Sequence, residues 1–456
     1  MGYQQIKEYT IKKFLNYAFS LMSNSTEDSL TKLTYIAEKI PTKEIYKKKI
    51  KWIRQLFLSK HPSLKIAKRI INETNPHHRK KIIENFLVNQ LLGGTIKRKE
   101  FEAKNGIYPL DLMVISPSMK CNLNCYGCYA GDYSKDGELS FDEVDSIITQ
   151  AKEMGTYLIF FSGGEPFFWD GIFDIFKKHS DVNFQVYTHG GLLDEKNVEK
   201  IVEAGNVLPA ISMEGYEKET DARRGKGHFK KVMRAMDLLK EAGNLFAVSY
   251  TQTKENTHII TSDEYIDFLI EKGAILIWIF TYVPIGRKPN IHLMATPEQR
   301  DFMRKRLAYF RATKPVLFID FWNDGHLVDG CVAGGKKYIH INARGDAEPC
   351  VFCHFASDNI REKSLLEILK SPLFKEIQSR QPYNKNLYRP CMLIDNPEVG
   401  RDIALKHAKY FTHPGAESLF TVLAKDIDEY AKKYGQLADK AWNEKVNISE
   451  GKKMAS

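Results

Sequence analysis

The sequence of 456 residues contains no run of 18 or more apolar residues, the longest candidate being the stretch around Ile275 to Val283. No segment is therefore predicted to span a bilayer. The N-terminus, MGYQQIKEYT, lacks a basic and then apolar leader that ends in small residues, so no signal peptide is expected. These absences predict a cytoplasmic protein, soluble or peripheral at the inner face of the membrane. A hydrophobic content of 43% excludes a disordered chain.

Cysteine is scarce, and the seven residues cannot all pair in disulfides. An odd count in a reducing compartment favours metal ligation or reactive thiols. Spacing separates them into a tight group of three and a group of four spread over the last third of the chain. The first group is Cys121, Cys125 and Cys128, and the second is Cys331, Cys350, Cys353 and Cys391.

Acidic residues are scarce only near the N-terminus, where residues 1–100 hold 21 Lys and Arg against 8 Asp and Glu. The segments IKKFLNYAF at 11–19 and YKKKIKWIRQLFLSK at 46–60 have the pattern of basic amphipathic helices. Such helices either bind an anionic membrane surface or form a cap that buries their apolar faces on the catalytic domain. Nucleic acid is a third option, which the sequence does not favour because no recognised nucleic-acid motif accompanies the charge.

From residue 111 short apolar runs alternate with helical stretches, one of which is predicted to begin at the N-cap Ser140. This alternation implies βαβ units and a parallel sheet, whose ligands bind at the carboxyl ends of the strands. The strand candidates are 112–115, 157–161, 184–187, 208–212, 245–250 and 275–282.

Two motifs that can carry chemistry follow the first two predicted strands. In CNLNCYGC, the three thiolates of residues 121–128 can hold three irons of a 4Fe-4S cube and leave one iron open. The alternative, structural zinc, needs a fourth ligand from elsewhere. In the sequence SGGEP at 162–166, two glycines let the backbone approach a ligand and the Glu165 carboxylate can pair with an ammonium group.

Together, these motifs resemble those of the radical SAM superfamily over about residues 111–393. The resemblance implies an α/β fold, a partial (β/α)6 barrel. It also implies that the open iron binds S-adenosylmethionine (SAM), and that an electron from the cluster cleaves SAM to a 5′-deoxyadenosyl radical. The residues implied to contact SAM are Gly163, Gly164, Glu165 and Pro166 around the methionine amino group, Ser212 and Glu214 at the ribose, and Arg224 at the carboxylate.

The sequence departs from the family pattern at two positions. The usual aromatic residue before the third cysteine, which contacts adenine, is replaced by Gly127, so Tyr126 or Tyr129 is expected to substitute. Thr188-His189-Gly190 replaces the common Thr-Asn-Gly after the third strand, and His189 is predicted to be a hydrogen-bonding loop residue. The sixth strand ends in Tyr282-x-Pro284-x-Gly286-Arg287, as in many family members.

The spacing from Cys331 through Gly345 to Cys350 resembles the SPASM and twitch extensions of this superfamily. A full SPASM domain uses seven cysteines for two clusters. The four here imply a twitch-like segment with a single closed auxiliary 4Fe-4S cluster for electron transfer or structure. Zinc held by four cysteines is the alternative. No thiol then remains as a hydrogen-atom donor, so a tyrosine or an exogenous donor would replace it.

The predicted organisation is a basic helical extension at 1–110, the radical SAM partial barrel at 111–295, a twitch/SPASM-like auxiliary segment at 296–395 and C-terminal helices at 396–456. The predicted cofactors are two 4Fe-4S clusters, one SAM-binding and one auxiliary, together with SAM. The expected partner is a reductant such as ferredoxin or flavodoxin, with a possible anionic membrane surface contacted through residues 1–100.

Three substrate classes remain open. The basic, aromatic N-terminal helices and the absence of a free cysteine favour a membrane-lipid acyl chain that undergoes carbon-carbon coupling. Enzymes with SPASM or twitch extensions commonly act on peptides, although residues 1–100 lack the pattern of a winged-helix peptide-binding domain. A small-molecule dehydrogenase would need a base, for which Asp320, Asp324 and Asp329 are candidates.

Overall fold

The computed structural model describes residues 27–39 and 44–454, so the helix predicted at residues 11–19 lies outside the described residues. Nine strands form the main sheet. They are β1 Met113–Ile115, β2 Leu158–Phe161, β3 Asn183–Thr188, β4 Val207–Ser212, β5 Ala247–Gln252, β6 Leu276–Thr281, β7 Leu317–Asp320, β8 His340–Ile341 and β9 Ala347–Glu348. A second, two-stranded sheet contains β10 Phe355–Ala356 and β11 Tyr410–Phe411.

The strand order of the main sheet is β7-β6-β5-β4-β3-β2-β1-β8-β9. Strands β1 to β7 are parallel, and β8 pairs in parallel with the free side of β1. All six predicted strands are present within about two residues of their expected bounds, which confirms the α/β fold with a parallel sheet. The seventh strand was not predicted, and it extends this sheet beyond residue 295. The domain boundary at 295 stays a prediction.

The helices lie between the strands and at both ends of the chain. The helix after β1 begins as predicted, because Ser140 and Glu143 form a reciprocal capping box. The helices are α1 Glu27–Ala37, α2 Glu44–Leu58, α3 Ser63–Asn72, α4 Pro76–Lys81, a π-helix Ile82–Gly93, α5 Gly94–Asn105, α6 Phe141–Glu153, α7 Ile172–Lys178, α8 Glu195–Ala204, α9 Glu217–Arg224, α10 His228–Glu241, α11 Thr257–Ile260, α12 Asp263–Lys272, α13 Pro297–Thr313, α14 Gly325–Val328, α15 Leu365–Leu369, α16 Pro372–Ser379, α17 Pro397–Lys406 and α18 Ala424–Met454. Short 3-10 turns lie at Pro166–Phe168, Ile291–Leu293 and Ala416–Phe420.

The helices of residues 63–105 cover the end of the barrel where the strands begin. Their side chains bond the backbone of the loops that lead into successive strands. Asn85 Nδ2 donates to Val182 O over 2.9 Å, and Arg98 Nη1 donates to Gly155 O over 2.6 Å. Ile66 of α3 belongs to the apolar cluster that fills the barrel interior. Residues 63–105 therefore form a cap on the barrel, as one of the interpretations of the basic extension predicts. No helix among residues 27–39 and 44–454 is both long and apolar enough to cross a membrane.

Two apolar layers hold the fold together. One lies between the sheet and its outer helices and contains, for example, Phe161, Phe184 and Ile277. The other fills the barrel and continues without interruption from Phe160 into the segment that carries Cys350 and Cys353. Alternate residues of the strands point to opposite faces, so each strand contributes to both layers.

A fully buried ion pair connects the barrel, the last cysteine and the C-terminal helix. Arg300 of α13 donates to both carboxylate oxygens of Asp395, over 2.5 and 3.0 Å, and both side chains are 0% exposed. The guanidinium lies 3.8 Å from the ring centre of Tyr434 on α18. Asp395 also accepts the N–H of Cys391 over 2.9 Å, so the ion pair fixes the position of that cysteine.

Replacing Arg300 with Met is expected to lower the free energy of unfolding by about 3–5 kcal/mol, because Asp395 is left buried without a counter-charge. Urea denaturation followed by circular dichroism measures this loss. Arg234→Met is the matched control, since its pair with Glu195 is 64% exposed on both sides and should change stability by less than about 1 kcal/mol. Equal losses in the two variants would contradict this account.

Candidate active site

One cavity lies at the carboxyl ends of the strands, and both groups of cysteines line it. Its wall includes residues that follow or end β1 to β6, as expected for ligand sites of parallel sheets. The cysteines in the wall are Cys121, Cys125, Cys128, Cys331, Cys350 and Cys391. Cys353 completes the second group, with its Sγ atom 3.4 Å from that of Cys350. The two predicted cluster sites therefore lie in the wall of the same cavity.

Two arginines hold the loop that carries the first three cysteines. Arg287 donates its backbone N–H to Cys128 O over 3.0 Å and its guanidinium to Cys125 O over 3.3 Å. Arg223 donates to the carbonyls of Tyr126 and Gly127, over 3.3 and 3.4 Å. Arg223 and Arg224 also favour the charged form of the Cys125 thiol, which must lose its proton to bind iron, although burial raises its pKa. The motif that ends the sixth strand thus positions the cysteine loop through Arg287.

Gly163 and Gly164 let the loop after β2 pack directly on the chain that follows β1. A Cβ atom on Gly163, whose φ is +112°, would lie 2.5 Å from Ser118 O, and one on Gly164 would collide with Lys120 O. Gly164 N–H donates to Ser118 O over 3.1 Å. The sequence assigned these glycines to close approach of a ligand. The structure shows that they also allow close approach of the cysteine-bearing chain.

Glu165 is a fully buried carboxyl group without a cationic hydrogen-bond partner among the described residues. It accepts hydrogen bonds from Thr188 Oγ1 and His189 N–H, both over 2.8 Å, and from Phe167 N–H over 3.3 Å. Burial raises its pKa to about 7, although these hydrogen bonds favour the charged form. His189 Nε2 lies 3.3 Å from Oε2, and Arg224 is near enough to favour the charged form of Glu165. Because no cation of the described residues donates a hydrogen bond to it, the carboxylate fits the ammonium group of a ligand.

His189 links Glu165 to the cysteine loop. Its Nδ1 atom accepts the Gly191 N–H over 2.9 Å, so in the neutral ring the proton lies on Nε2. Nε2 then donates to Asn122 Oδ1 over 2.8 Å, one residue after Cys121. Burial and the nearby Arg224 lower the His189 pKa to about 4, which keeps the ring neutral. This geometry agrees with the predicted hydrogen-bonding role.

Besides Glu165, the polar residues implied to contact SAM are Ser212, Glu214 and Arg224, and they differ in whether they line the cavity. Glu214 forms an ion pair with Arg223, whose Nη1 atom lies 2.9 Å from Oε1, and it accepts a hydrogen bond from Arg224 Nη2 over 2.6 Å; Glu214 itself is outside the cavity wall. Arg224 lines the cavity, and its Nε atom is buried without a hydrogen-bond partner among the described residues. Ser212 also lines the cavity and contacts Ser249 Oγ over 3.1 Å. The unpartnered Nε–H of this wall residue fits a carboxylate ligand.

The packing around Gly127 explains why the usual aromatic residue is absent from this position. Gly127 has φ +60°, and a Cβ atom there would lie 2.7 Å from Cε2 of Tyr282. The Tyr282 ring therefore occupies the space that an aromatic residue 127 would need, and it lines the cavity, as Tyr129 does. Tyr126 lies outside the wall, with its hydroxyl 3.2 Å from Glu255 Oε2.

The four C-terminal cysteines converge from three separate segments of the chain. Burial raises the pKa of the Cys353 thiol, and the nearby Cys350, Cys391 and Cys331 raise it further. Leu393 N–H donates to Cys391 Sγ over 3.4 Å, the kind of bond that tunes an iron-sulfur cluster. This mutual proximity fits a four-thiolate ligand set. Across residues 27–39 and 44–454, no group of three or more His, Cys, Asp or Glu side chains is placed to hold a single metal ion.

Sequence reasoning found part of the cavity wall and missed its apolar part. Of the eight predicted SAM contacts, Gly163, Gly164, Ser212 and Arg224 line the cavity. Pro166, like Glu165, does not. The missed wall residues come from interior positions of the strands and from loops beside the C-terminal cysteines. They include Leu112, Val114, Phe160, Tyr187, Phe280, Phe321, Trp322, Tyr338 and Phe352. Their position just before or at the strand ends is the signal that would have found several of them.

Comparison with known families matches both halves of this site. A model described as the Radical SAM superfamily matches residues 115–258, and one described as SPASM, an iron-sulfur cluster-binding domain, matches residues 331–392. These two domains imply a SAM-binding 4Fe-4S cluster and auxiliary iron-sulfur cluster binding, which confirms the predicted cofactors.

Relatives that are named for different functions are similar to this chain. An AdoMet-dependent heme synthase from Methanosarcina barkeri is 29% identical over 280 residues, which cover 54% of this chain and 78% of that protein. Mycofactocin maturase MftC from Mycolicibacterium smegmatis is 28% identical over 313 residues, which cover 64% and 77%. The structure of Streptococcus suis SuiB bound to S-adenosylmethionine matches with a TM-score of 0.54 and 20% identity, over 66% of this chain and 76% of that chain. At this identity, the similarity to SuiB is evidence for the fold alone.

Replacing Cys125 with Ala is expected to remove one cluster and abolish release of 5′-deoxyadenosine, while the auxiliary cluster still assembles. Anaerobic reconstitution should then give about four irons per chain instead of about eight. Cys391→Ala is the matched variant and should also lose iron, but it should still cleave SAM in the presence of dithionite. Release of 5′-deoxyadenosine by Cys125→Ala would contradict the assignment.

Proposed function

Because this chain is a radical SAM enzyme with a C-terminal SPASM domain, we propose that it removes a hydrogen atom from an unactivated C–H bond of an apolar chain. The chain that we propose is an acyl tail of a membrane lipid, and the product is a carbon-carbon coupled lipid. Coupling two acyl carbons breaks two C–H bonds, and each hydrogen atom would go to a 5′-deoxyadenosyl radical, so each new bond would consume two SAM and two electrons. The observation that carries this proposal is the apolar wall of the cavity between the two groups of cysteines.

The cysteines divide the work of holding the cofactors. Cys121, Cys125 and Cys128 would hold the SAM-binding cluster, and the four C-terminal cysteines would hold the auxiliary cluster. When bound, the first cluster supplies the electron that cleaves SAM to a 5′-deoxyadenosyl radical. Such an enzyme needs an electron donor, and a ferredoxin or flavodoxin is the proposed one.

Residues of the chain would orient SAM toward the cavity. Glu165 would pair with the methionine ammonium, since it is buried and accepts no hydrogen bond from a cation of the described residues. Arg224 would bind the carboxylate through its free Nε–H, and Ser212 would contact the ribose. Glu214 would act through the arginines, because it holds both guanidinium groups. The aromatic ring offered to adenine would be that of Tyr282, or of Tyr129 beside it.

The composition of the wall supports an apolar substrate. Aromatic and aliphatic side chains form most of it, and the charged side chains within the described part of the wall are Arg223 and Arg224, both paired with Glu214. A peptide backbone or a set of carboxylates placed here would lose water without gaining enough partners, which is unfavourable. A hydrocarbon chain forms no hydrogen bonds with water that it could lose, and its burial is favourable.

The N-terminal helices supply a surface that fits a lipid bilayer. Trp52 of α2 is 63% exposed and Leu58 is 54% exposed, and on α1 Ile36 is 47% exposed. Lys48 and Lys51 are exposed beside them, in a region of strong positive charge. Apolar anchors among lysines are typical of proteins that bind anionic lipid headgroups. We therefore propose that α1 and α2 contact an anionic membrane.

A tetrapyrrole is the second candidate substrate, and the similarity to the heme synthase favours it. An aromatic wall would also suit a flat ring. However, the maturase is similar to this chain to nearly the same degree, so similarity alone does not separate tetrapyrrole from peptide. The relatives reported above are named for heme and mycofactocin, and neither name supports a lipid. The lipid proposal therefore depends on the cavity and the helices.

The dehydrogenase alternative receives little support, because the three candidate bases lie outside the cavity wall. Asp320 is buried and accepts hydrogen bonds from Trp322 N–H and Asn323 N–H, so it shapes the loop after β7. Asp324 pairs with Arg311 over 2.7 Å, and Asp329 lies at the surface.

A lipid with a perdeuterated acyl chain is expected to yield singly deuterated 5′-deoxyadenosine, because the abstracted hydrogen moves to the nucleoside. The measurement is mass spectrometry after incubation of the reconstituted enzyme with SAM, dithionite and acyl-deuterated phosphatidylglycerol. Headgroup-deuterated phosphatidylglycerol is the control and should give unlabelled nucleoside. Unlabelled nucleoside from both lipids, with turnover stimulated instead by iron coproporphyrin III, would favour the tetrapyrrole.

The double variant Trp52→Ser with Ile53→Ser is expected to weaken binding to phosphatidylglycerol vesicles by at least about tenfold, since two apolar anchors are lost. Vesicle sedimentation measures this change. Val422→Ser, which removes an 80% exposed apolar side chain outside α1 and α2, is the control and should bind like the wild type. If the double variant also sediments like the wild type, α2 does not contact the membrane.

A further inference from the structure

One aromatic ring of the C-terminal segment connects the two groups of cysteines. Phe352 lies between Cys350 and Cys353 in the chain, and its side chain lines the cavity. Its ring packs edge-on against Tyr129 with ring centroids 5.7 Å apart, and Tyr129 directly follows Cys128. Residues that adjoin the two cysteine groups are therefore in direct contact.

The same ring also contacts the opposite side of the curled sheet. Phe352 packs against Phe280 of β6 at 6.2 Å and against Trp322 after β7 at 5.2 Å. The Tyr129 hydroxyl contacts Ser162 Oγ over 2.6 Å, which holds the Tyr129 ring at the end of β2. Strands β2 and β6 are four positions apart in the sheet order, which in a flat sheet would separate them by about 19 Å. Because the Tyr129 and Phe280 rings both touch Phe352, their centroids are at most about 12 Å apart, so Phe352 lies across the interior of the barrel.

This position places Phe352 between two parts of the cavity. The part lined by the C-terminal cysteines is the space that the auxiliary cluster would fill. A substrate is then confined to the rest of the cavity, beside Gly163 and Arg224 of the proposed SAM site. Tyr129 accepts the Gly163 N–H over 3.2 Å, so Phe352 adjoins Cys353 on one side and reaches the SAM site through Tyr129 on the other.

We propose that Phe352 determines how far an apolar substrate extends from SAM toward the auxiliary cluster site, and thereby which chain length the cavity prefers. This inference rests on the proposed apolar-chain function and specifies it further. The Phe352 side chain is partly buried, so it presents surface that a substrate can contact. A smaller side chain at this position would lengthen the space open to the substrate, and a larger one would shorten it.

Two primary alcohols that differ only in chain length, 1-octanol and 1-dodecanol, test this inference. Equilibrium dialysis of each radiolabelled alcohol against the full-length, reconstituted enzyme with SAM gives a Kd, and the quantity compared is the Kd of octanol divided by that of dodecanol. Phe352→Ala and Phe352→Trp change the size of the side chain in opposite directions. Phe411→Ala is the matched control, because Phe411 is also partly buried against the same apolar cluster but does not line the cavity.

Phe352→Ala is expected to raise this ratio at least about tenfold, the effect of burying about two more methylene groups of the longer alcohol. Phe352→Trp should lower the ratio by about the same factor, since the longer alcohol then loses buried surface. Phe411→Ala should leave the ratio within about twofold of the wild-type value.

A ratio that stays unchanged in both Phe352 variants, or that moves in the same direction in both, would overturn the inference while the proposed function stands. If iron counting shows that Phe352→Ala has lost a cluster, the Phe352→Trp ratio decides: a lower ratio supports the inference and an unchanged one overturns it. If the wild-type enzyme binds neither alcohol, the proposed apolar-chain function fails and this inference fails with it.

Discussion

The pairing of β8 with β1 is the constraint on which the site depends. Strand β1 leads into the first cysteine loop, and β8 belongs to the segment that carries the other four cysteines. Ser116 at the end of β1 contacts His340 Nε2 on β8 over 2.7 Å, and His340 Nδ1 contacts Glu348 over 2.6 Å. Neighbouring parallel strands end at the same edge of a sheet, so this pairing brings both cysteine groups to one cavity.

Ion pairs and hydrogen bonds of three arginine side chains stabilise the site around the cysteine loop. Arg223 and Arg287 bond carbonyl oxygens of the cysteine loop, and Glu214 keeps Arg223 and Arg224 in place. Buried charges of this kind need partners, and each arginine has one in the carboxylate or in the loop carbonyls. These cations therefore hold the cysteine loop and, in the proposed function, would bind SAM, and the rest of the wall is mostly apolar. That division is the physical basis for the proposed substrate class.

The sequence predicted the local features well and the long-range ones poorly. Six strands and the helix start at Ser140 were found because alternation and capping are local patterns. The pairing of β8 with β1 was not predicted, because β8 is only two residues long and so short a strand has no periodic pattern. The role of Gly127 also could not be found locally, since the Tyr282 ring that fills its space is 155 positions away in the chain. The apolar wall was missed for the same reason, because strand interiors are apolar whether or not they border a cavity.

Anomalous X-ray scattering from anaerobic crystals of the reconstituted enzyme with SAM tests the central claim most directly. Data recorded at the iron and zinc edges identify the metal at each cysteine group. The account predicts iron at Cys121, Cys125 and Cys128 and iron again at the four C-terminal cysteines, with SAM and the apolar cavity between them. Zinc at the C-terminal group, or SAM bound away from Glu165 and Arg224, would contradict it.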